Sequence, residues 1–288
     1  MRRGGSILMY RLLALNIDGT LLRSNSRISR ETKDAIEYVK RKGVYVTLVT
    51  ERPFPSAKKI AKALKVDNLL VTHDGAFIAS ELEEPVFERR LHEDKAFHIA
   101  EILENYHCHI RLMHEKFAIG NKVRQKNQLI AKMTIGIGDP LFYPVTFVDS
   151  VCEYLLNNPI SPPKIQVQFF DKEEKALAIK ELRAEVPNIN IHRSNDNRLE
   201  IVANTVSKAR GLQFLSKHLG ISLAEMVAIG VSENDIEMIS QAGLGVAMGN
   251  APKTVKQAAD WVTRSNNQNG VSYMVREVFR KQLKIQNQ

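Results

Sequence analysis

The chain has 288 residues, of which 44% are hydrophobic and 25% charged, and its formal net charge is +9. This length and composition are those of a globular protein with a sizeable core, in one large domain or two modest ones. The apolar run at residues 6–15 contains Arg11 and is too short for a membrane span, so we predict no membrane association. It also lacks the cleavage site of a signal peptide, and Met9 is an alternative start.

The number of cysteines and the distribution of charge indicate the cellular compartment and the kinds of partner to expect. Only Cys108 and Cys152 occur, which argues against a disulfide framework and favours a reducing cytoplasm. The basic residues are spread along the whole chain with acids between them. A scattered excess of this kind is typical of a solvated surface that attracts small anions, so we do not expect nucleic acid as a partner.

The first 75 residues alternate between strand and helix patterns. A near-continuous apolar run predicts a parallel strand buried on both faces, and Ser29 and Gly43 bound the helix that follows. Such alternation implies right-handed crossovers and an α/β fold with a doubly wound parallel sheet. The predicted strands are 10–17, 44–50 and 69–72, and the predicted helices are 31–42 and 53–64.

The pattern changes after about residue 82 and returns near residue 195. Between these points, short strands with polar alternation at 108–112, 164–170 and 190–192 predict an antiparallel sheet with helices on one face. We therefore predict a core domain of residues 1–82 and 194–288, interrupted by an inserted α+β cap at 83–193. The remaining predicted helices are 94–106, 148–156, 173–186, 206–219, 233–241 and 252–259 with one at the C-terminus, and the remaining strands are 226–229, 245–248 and 261–263.

Polar residues follow the predicted core strands where each strand ends. Ligands of open α/β sheets bind outside the carboxyl ends of the strands, so we expect these residues to meet at one rim. A phosphoryl group needs hydroxyl and amide donors, a lysine for its charge, and carboxylates for Mg²⁺ or proton transfer. The candidates are Asn16, Asp18 and Gly19 after the first strand, Thr50 and Glu51 after the second, Asp74 after the third, Lys208 at a helix start, and Glu233, Asn234 and Asp235 after the strand near 229.

Each candidate taken alone has a simpler interpretation. Asp18-Gly19 is a turn dipeptide, and Thr50 is a possible helix cap. The pair Asn234-Asp235 fits an N-cap and a first-turn acid, and Lys208 fits a solvated surface residue. Their joint placement at strand ends, in order along the chain, favours a phosphate-binding rim.

Five segments resemble the Cof-type branch of the haloacid dehalogenase superfamily. They are LLALNIDGTLL, VTLVTERP, THDGA, RLEIVANTVSKARGL and VAIGVSENDIEMISQAGLGVAMGNAPKTVKQAADWVT. The resemblance covers both halves of the predicted core, and residues 83–193 are similar in length and pattern to the family's large cap. It implies a Mg²⁺-dependent phosphatase of small phosphorylated metabolites. In such enzymes one aspartate attacks phosphorus, and a second, two residues on, is the general acid and base.

The resemblance gives roles to individual residues. It makes Asp18 the general acid and base, and it makes Thr50, Lys208 and Gly19 the phosphate-binding groups. The pair Asn234-Asp235 matches the one that, together with Asp18, supports the metal and its waters.

Four positions depart from the family pattern. Asn16 stands at the nucleophile position and Val231 at a metal-binding aspartate. Glu51 replaces a glycine, and Asp74 replaces an asparagine before the third-strand glycine.

The departures weaken the expected chemistry. An amide cannot replace a carboxylate nucleophile, so we expect turnover to be lower by about 10⁴- to 10⁶-fold. Valine removes a charged oxygen ligand, so we predict weak or absent Mg²⁺ at the rim formed by Asp18 and Asp235. Three interpretations stay open. The chain is an impaired phosphatase, or a phosphatase rebuilt on the carboxylate of Glu51, Glu233 or Asp235. Alternatively, it binds a phosphorylated metabolite without metal, or a protein partner, through the same cleft, or its site has simply drifted after activity was lost.

Histidines in the predicted cap are weaker candidates. His107, His109 and Arg111 would share one face of a strand, with His114 soon after. No third ligand at suitable spacing supports a metal site, so we expect a solvated or substrate-facing surface. Cys108 would point the opposite way, into the core of the cap.

Overall fold

The computed structural model describes residues 9–123, 143–193, 197–280 and 282. The chain divides into two compact units. We call the first the parallel-sheet unit, made of Met1–Thr50, Ala61–Leu69 and Lys208–Gln288, and the second the antiparallel-sheet unit, made of Glu51–Ile60 and Leu70–Ser207.

The strands and helices follow one another in the order that the apolar patterns predict, with additional short strands. The strands are β1 (Leu12–Leu15), β2 (Tyr45–Leu48), β3 (Leu70–Thr72), β4 (Phe77–Ala79), β5 (Pro85–Glu88), β6 (Cys108–Met113), β7 (Ala118–Asn121), β8 (Val145–Val148), β9 (Lys164–Phe169), β10 (Ile189–Arg193), β11 (Arg198–Ala203), β12 (Met226–Gly230), β13 (Leu244–Ala247) and β14 (Trp261–Val262). The helices are α1 (Arg30–Arg41), α2 (Phe54–Ala63), α3 (Glu93–Glu104), α4 (Val151–Asn157), α5 (Lys172–Glu185), α6 (Lys208–Leu219), α7 (Ile236–Gln241), α8 (Lys253–Ala258) and α9 (Gly270–Phe279).

A five-stranded parallel sheet in the order β14-β13-β12-β1-β2 forms the centre of the parallel-sheet unit. β1 lies between β12 and β2 and is buried along its whole length, as its continuous apolar sequence predicts. The chain runs outward from β1 to β2 on one side and from β12 to β14 on the other. The strand order therefore reverses between β1 and β12, which is where open α/β sheets bind their ligands.

Helix α1 has the ends that the sequence predicts. The Ser29 hydroxyl accepts a hydrogen bond from the Thr32 backbone N–H at 3.1 Å, which caps the first turn. Gly43 follows the helix with a φ of 80°, a conformation that glycine adopts without strain. Three residues on one face, Ala35, Ile36 and Val39, are buried in the core.

A six-stranded sheet in the order β10-β11-β9-β6-β7-β8 forms most of the antiparallel-sheet unit. All neighbouring pairs are antiparallel except β7 and β8. Alternate residues of the central strands pack with α3, α4 and α5 in one apolar cluster, so the helices cover one face of the sheet. This confirms the predicted combination of a parallel sheet with an α+β unit.

Two features of the strands differ from the predictions. The strand predicted at 69–72 as a third parallel strand is β3, which pairs antiparallel with β4 in a separate three-stranded sheet with β5, so that prediction is wrong. The strand β11 was not predicted, and it pairs with both β9 and β10. Its alternation of Leu199 and Ile201 with Arg198 and Glu200 is short. Within the described residues, no helix has the length and apolar character needed to cross a membrane.

Candidate functional site

Asn16 follows β1 directly, and its side chain is fixed by three hydrogen bonds. The amide nitrogen Nδ2 donates to the Asp18 carbonyl and to Asp235 Oδ2, each at 3.2 Å. The amide oxygen Oδ1 accepts from the Ile17 backbone N–H at 2.8 Å. Asn16 is 4% exposed. Because both amide hydrogens and the amide oxygen have partners, the orientation of the amide is fixed, with its NH₂ group towards Asp235.

The turn Ile17–Leu21 continues from Asn16 and carries Asp18 and Gly19. Gly19 has a φ of 68°, which disfavours a residue with a side chain. A Cβ atom added here would also lie 3.1 Å from Val231 Cγ1, so the backbone approaches that valine closely. The Asn250 side chain donates to the Gly19 carbonyl at 2.9 Å and holds the turn. Asp18 is partly exposed.

Asp235 is fully buried, and its carboxylate accepts five hydrogen bonds. Oδ1 receives the Lys208 ammonium at 2.7 Å. Oδ2 receives Asn16 Nδ2 at 3.2 Å, the backbone N–H groups of Val231 and Ser232 at 2.8 and 2.9 Å, and the Ser232 hydroxyl at 3.0 Å. Four of the five donors therefore converge on Oδ2, while the charged contact with Lys208 is made by Oδ1. The simpler interpretation holds for Asp235, which is a first-turn acid, but it is wrong for Asn234, because Ser232 is the N-cap of the turn Glu233–Asp235.

Lys208 is the first residue of α6 and is only 2% exposed. Its interpretation as a solvated surface residue is therefore wrong. The ion pair with Asp235 lies in the interior, where loss of one partner leaves an uncompensated charge. Thr50, which follows β2, is fully buried, and Asn234 lies in the turn after β12. Direct contacts thus join Asn16, Asp235 and Lys208, while the strand topology puts Thr50 and Asn234 at the same edge of the sheet.

Val231 and Glu233, two further positions predicted from the sequence, do not donate a hydrogen bond to the Asp235 carboxylate through their side chains. Val231 packs against an apolar cluster that includes Ile239, Ala247 and Val255. Glu233 is exposed, and its carboxylate lies 3.5 Å from the Thr254 hydroxyl. Neither side chain contributes an oxygen to the contacts around Asp235.

The residues at this rim do not fit a Mg²⁺ ion. Mg²⁺ binds oxygen atoms at about 2.1 Å in nearly octahedral geometry. The two oxygens that converge on Asn16 Nδ2 are the Asp18 carbonyl and Asp235 Oδ2, so an NH₂ group stands where a cation would have to bind them. Val231 offers hydrocarbon where the family pattern implies a carboxylate, and the other oxygen of Asp235 holds an ammonium group.

A second cluster of charges lies within the antiparallel-sheet unit and centres on Lys164. Lys164 is 1% exposed. Its ammonium donates to the Glu51 carbonyl at 2.6 Å and to Asp74 Oδ2 at 3.0 Å, and it lies 2.9 Å from Glu200 Oε2. Burial alone would lower the pKa of Lys164, but the carboxylates of Asp74, Glu200 and Glu51 raise it above its ordinary value. Asp74, the departure from the family's asparagine, is thus a partner in a buried ion pair.

The cap histidines differ from one another in burial. His109 and Arg111 are buried rather than solvated, at 8% and 4% exposure, and their side chains are 3.3 Å apart. Burial and the Arg111 charge lower the pKa of His109, which favours the neutral ring. His107 is exposed. Cys108 packs into the apolar cluster on the opposite face of the sheet, as predicted.

The sequence reasoning missed three residues that hold these groups. Ser232 supplies two of the five donors to Asp235, and its spacing in Ser232-x-x-Asp235 is that of a capping box, a signal available from sequence. Asn250 fixes Gly19, and Lys164 fixes Asp74, from segments distant in the chain. No local pattern marks these two.

The sequence model of haloacid dehalogenase-like hydrolases matches residues 13–275. The chain belongs to this family. It is a Cof-type member of the superfamily, and its parallel sheet with an additional antiparallel sheet agrees with the solved structures that it resembles.

Relatives that are similar over nearly the whole chain are named for different functions. The stress response protein YhaX of Bacillus subtilis is 51% identical over 94% of each chain. The 5-amino-6-(5-phospho-D-ribitylamino)uracil phosphatase YcsE of the same organism is 30% identical over 92% of this chain and 94% of its own. A haloacid dehalogenase-like hydrolase structure from Bacteroides thetaiotaomicron superimposes with a TM-score of 0.78 at 26% identity, covering 94% of this chain and all of the other.

Proposed function

We propose that the chain is a phosphatase-like haloacid dehalogenase protein whose hydrolysis of phosphate monoesters is severely reduced. The observation that carries this proposal is the position of Asn16, whose amide is held by hydrogen bonds at the end of β1. In the family an aspartate attacks phosphorus from this position. An amide has no ionised form at ordinary pH, so it supplies no anionic oxygen for that attack.

The groups proposed to bind the phosphoryl moiety remain. Lys208 supplies positive charge, Thr50 a hydroxyl, and the turn at Gly19 backbone N–H groups. Asp18 keeps its proposed place as the general acid and base. We propose as substrates or ligands the small phosphorylated metabolites of the kind that the relative YcsE is named for.

The domain organisation belongs to the same proposal. A core of residues 1–82 and 194–288 carries the candidate site, and a cap of residues 83–193 selects the ligand. A cytoplasmic location agrees with the two free cysteines, Cys108 and Cys152.

A second candidate function is a catalytically inactive regulatory protein that binds a phosphometabolite, or a partner, through the same cleft. One observation favours it. The relative at 51% identity is named for a stress response, whereas several relatives near 30% identity are named as phosphatases. The two candidates differ in whether any residual hydrolysis of phosphate monoesters depends on the residues of the candidate site.

The test is hydrolysis of p-nitrophenyl phosphate by the parent chain and two variants, with Mg²⁺ and with EDTA. We expect turnover about 10⁴-fold or more below that of an active relative such as YcsE, measured in the same assay. Asp18→Asn should abolish any residual turnover, while Asp34→Asn, the same change at an exposed position of α1, should leave it unchanged. Rapid Mg²⁺-dependent turnover that Asp18→Asn abolishes would refute the impaired-site proposal. A trace that survives Asp18→Asn would favour the second candidate.

A further inference from the structure

Asn16 and Lys208 surround the Asp235 carboxylate from two sides. The ammonium contacts Oδ1 at 2.7 Å, and the amide NH₂ contacts Oδ2 at 3.2 Å. The same NH₂ group donates to the Asp18 carbonyl. One positive charge and one donor group with two hydrogens therefore contact oxygens of Asp18 and Asp235, the residues that the family resemblance assigns to the metal.

The charges at the site differ from those that the family pattern implies. With aspartate at positions 16 and 231, the rim would carry the carboxylates of those two residues and of Asp18 and Asp235, together with the ammonium of Lys208. Here Asn16 is neutral and Val231 is hydrocarbon. The charge of Asp235 is balanced by its ion pair with Lys208, and Asp18 lies partly exposed in the turn after β1. A phosphate dianion therefore meets two fewer negative charges.

We propose that this site binds phosphoryl groups without a divalent cation, because the Asn16 amide and the Lys208 ammonium take over the cation's role of neutralising and positioning the acidic groups. This inference rests on the proposed function, in which the phosphoryl-binding groups remain while hydrolysis is lost. The ligand class is a phosphate monoester or inorganic phosphate, recognised by Lys208, the Thr50 hydroxyl and the backbone N–H groups of the turn Ile17–Leu21.

Calorimetric titration of the full chain with inorganic phosphate, in EDTA and in excess Mg²⁺, tests the proposal. We expect the two dissociation constants to agree within about twofold, and Mg²⁺ alone to produce no binding heat and no rise in melting temperature. Binding seen only with Mg²⁺ would overturn the proposal. Absence of binding in both buffers would overturn it as well, and would leave the predicted loss of hydrolysis standing, because that is measured separately.

Two pairs of variants assign the binding to the site. Thr50→Val removes the proposed hydroxyl donor and should weaken phosphate binding by about tenfold. Thr47→Val, an equally buried change on β2, removes a hydroxyl that donates to the Leu69 carbonyl and should leave the dissociation constant unchanged. Lys208→Met should abolish binding, and Lys217→Met, at an exposed position of the same helix, should not.

Lys208→Met removes the partner of a buried carboxylate, so its folding must be checked by circular dichroism. If it does not fold, the Thr50 and Thr47 pair decides the question alone. Equal weakening by the two threonine variants would show that the bound phosphate is elsewhere and would overturn the assignment.

Discussion

Asn16→Asp replaces an amide that donates two hydrogen bonds with a carboxylate that donates none. It puts a second negative charge at the contact where Nδ2 and Asp235 Oδ2 are 3.2 Å apart. Two unit charges at that separation repel by about 5 kcal/mol at an effective dielectric constant of about 20. The Lys208 ammonium offsets part of this, and proton binding by the pair relieves more. We therefore expect the free energy of unfolding to fall by about 2–4 kcal/mol at neutral pH.

The destabilisation should depend on pH in a definite direction. Repulsion raises the pKa of the new carboxyl pair in the folded state above the unfolded value of about 3.9. The folded state then binds more protons than the unfolded state between these pKa values, so its stability falls as pH rises, by about 1.4 kcal/mol per unit. Below about pH 4 the two states bind protons equally, and the electrostatic cost of Asn16→Asp disappears.

Urea unfolding of Asn16→Asp and of the parent chain from about pH 4 to 8 measures this cost. Asn25→Asp, the same change in an exposed turn, is the matched control and should change stability by less than about 0.5 kcal/mol at any of these pH values. Mg²⁺ should not rescue Asn16→Asp, because Val231 still offers no oxygen. A variant as stable as the parent at neutral pH would refute the reasoning, since it would mean that Asn16 Nδ2 does not face Asp235.

Two further predictions concern the buried charges of the antiparallel-sheet unit. Lys164→Met removes the cation that Asp74 and Glu200 share, so we expect the free energy of unfolding in urea to fall by about 3–5 kcal/mol. Lys122→Met, which removes a surface ion pair, should lower it by less than about 1 kcal/mol. A similarly small loss in both variants would contradict the buried ion pair. Burial and the Lys164 charge lower the pKa of His73 to about 3. Between about pH 3 and 6.5 the folded state therefore binds fewer protons than the unfolded state. The free energy of unfolding should fall as pH falls through this range. His73→Asn should remove about 1.4 kcal/mol per pH unit of that slope, and an unchanged slope would show that His73 is not its source.

The sequence predicted the alternation of strands and helices well where one residue pattern decides the structure. The continuous apolar run before Asn16 specifies a strand buried on both faces, and Ser29 with Gly43 specifies the ends of α1. The third strand was predicted wrongly, because a short apolar run does not reveal its pairing partner. The pairing of β3 with β4 depends on the turn at His73 and Asp74, where both residues have positive φ.

The candidate site could be predicted as a set of residues but not as a set of contacts. Strand ends and the family resemblance identified Asn16, Lys208 and Asp235 from sequence. That the amide donates to the carboxylate, and that the lysine is buried against it, follows only when segments 219 and 27 residues apart come together. The ion pairs of Lys164 are hidden for the same reason, since their partners lie up to 113 residues away in the chain.

The measurement that tests the central claim most directly is turnover of p-nitrophenyl phosphate by the double variant Asn16→Asp/Val231→Asp, compared with the parent chain at increasing Mg²⁺. The claim is that these two positions, and not the rest of the rim, account for the loss of hydrolysis. We predict a parent rate at the level of the blank and a double-variant rate that rises and saturates with Mg²⁺. A double variant that folds, shows the parent's circular dichroism spectrum and remains inactive would contradict the account. A parent chain whose Mg²⁺-dependent turnover already equals that of the double variant would contradict it as well.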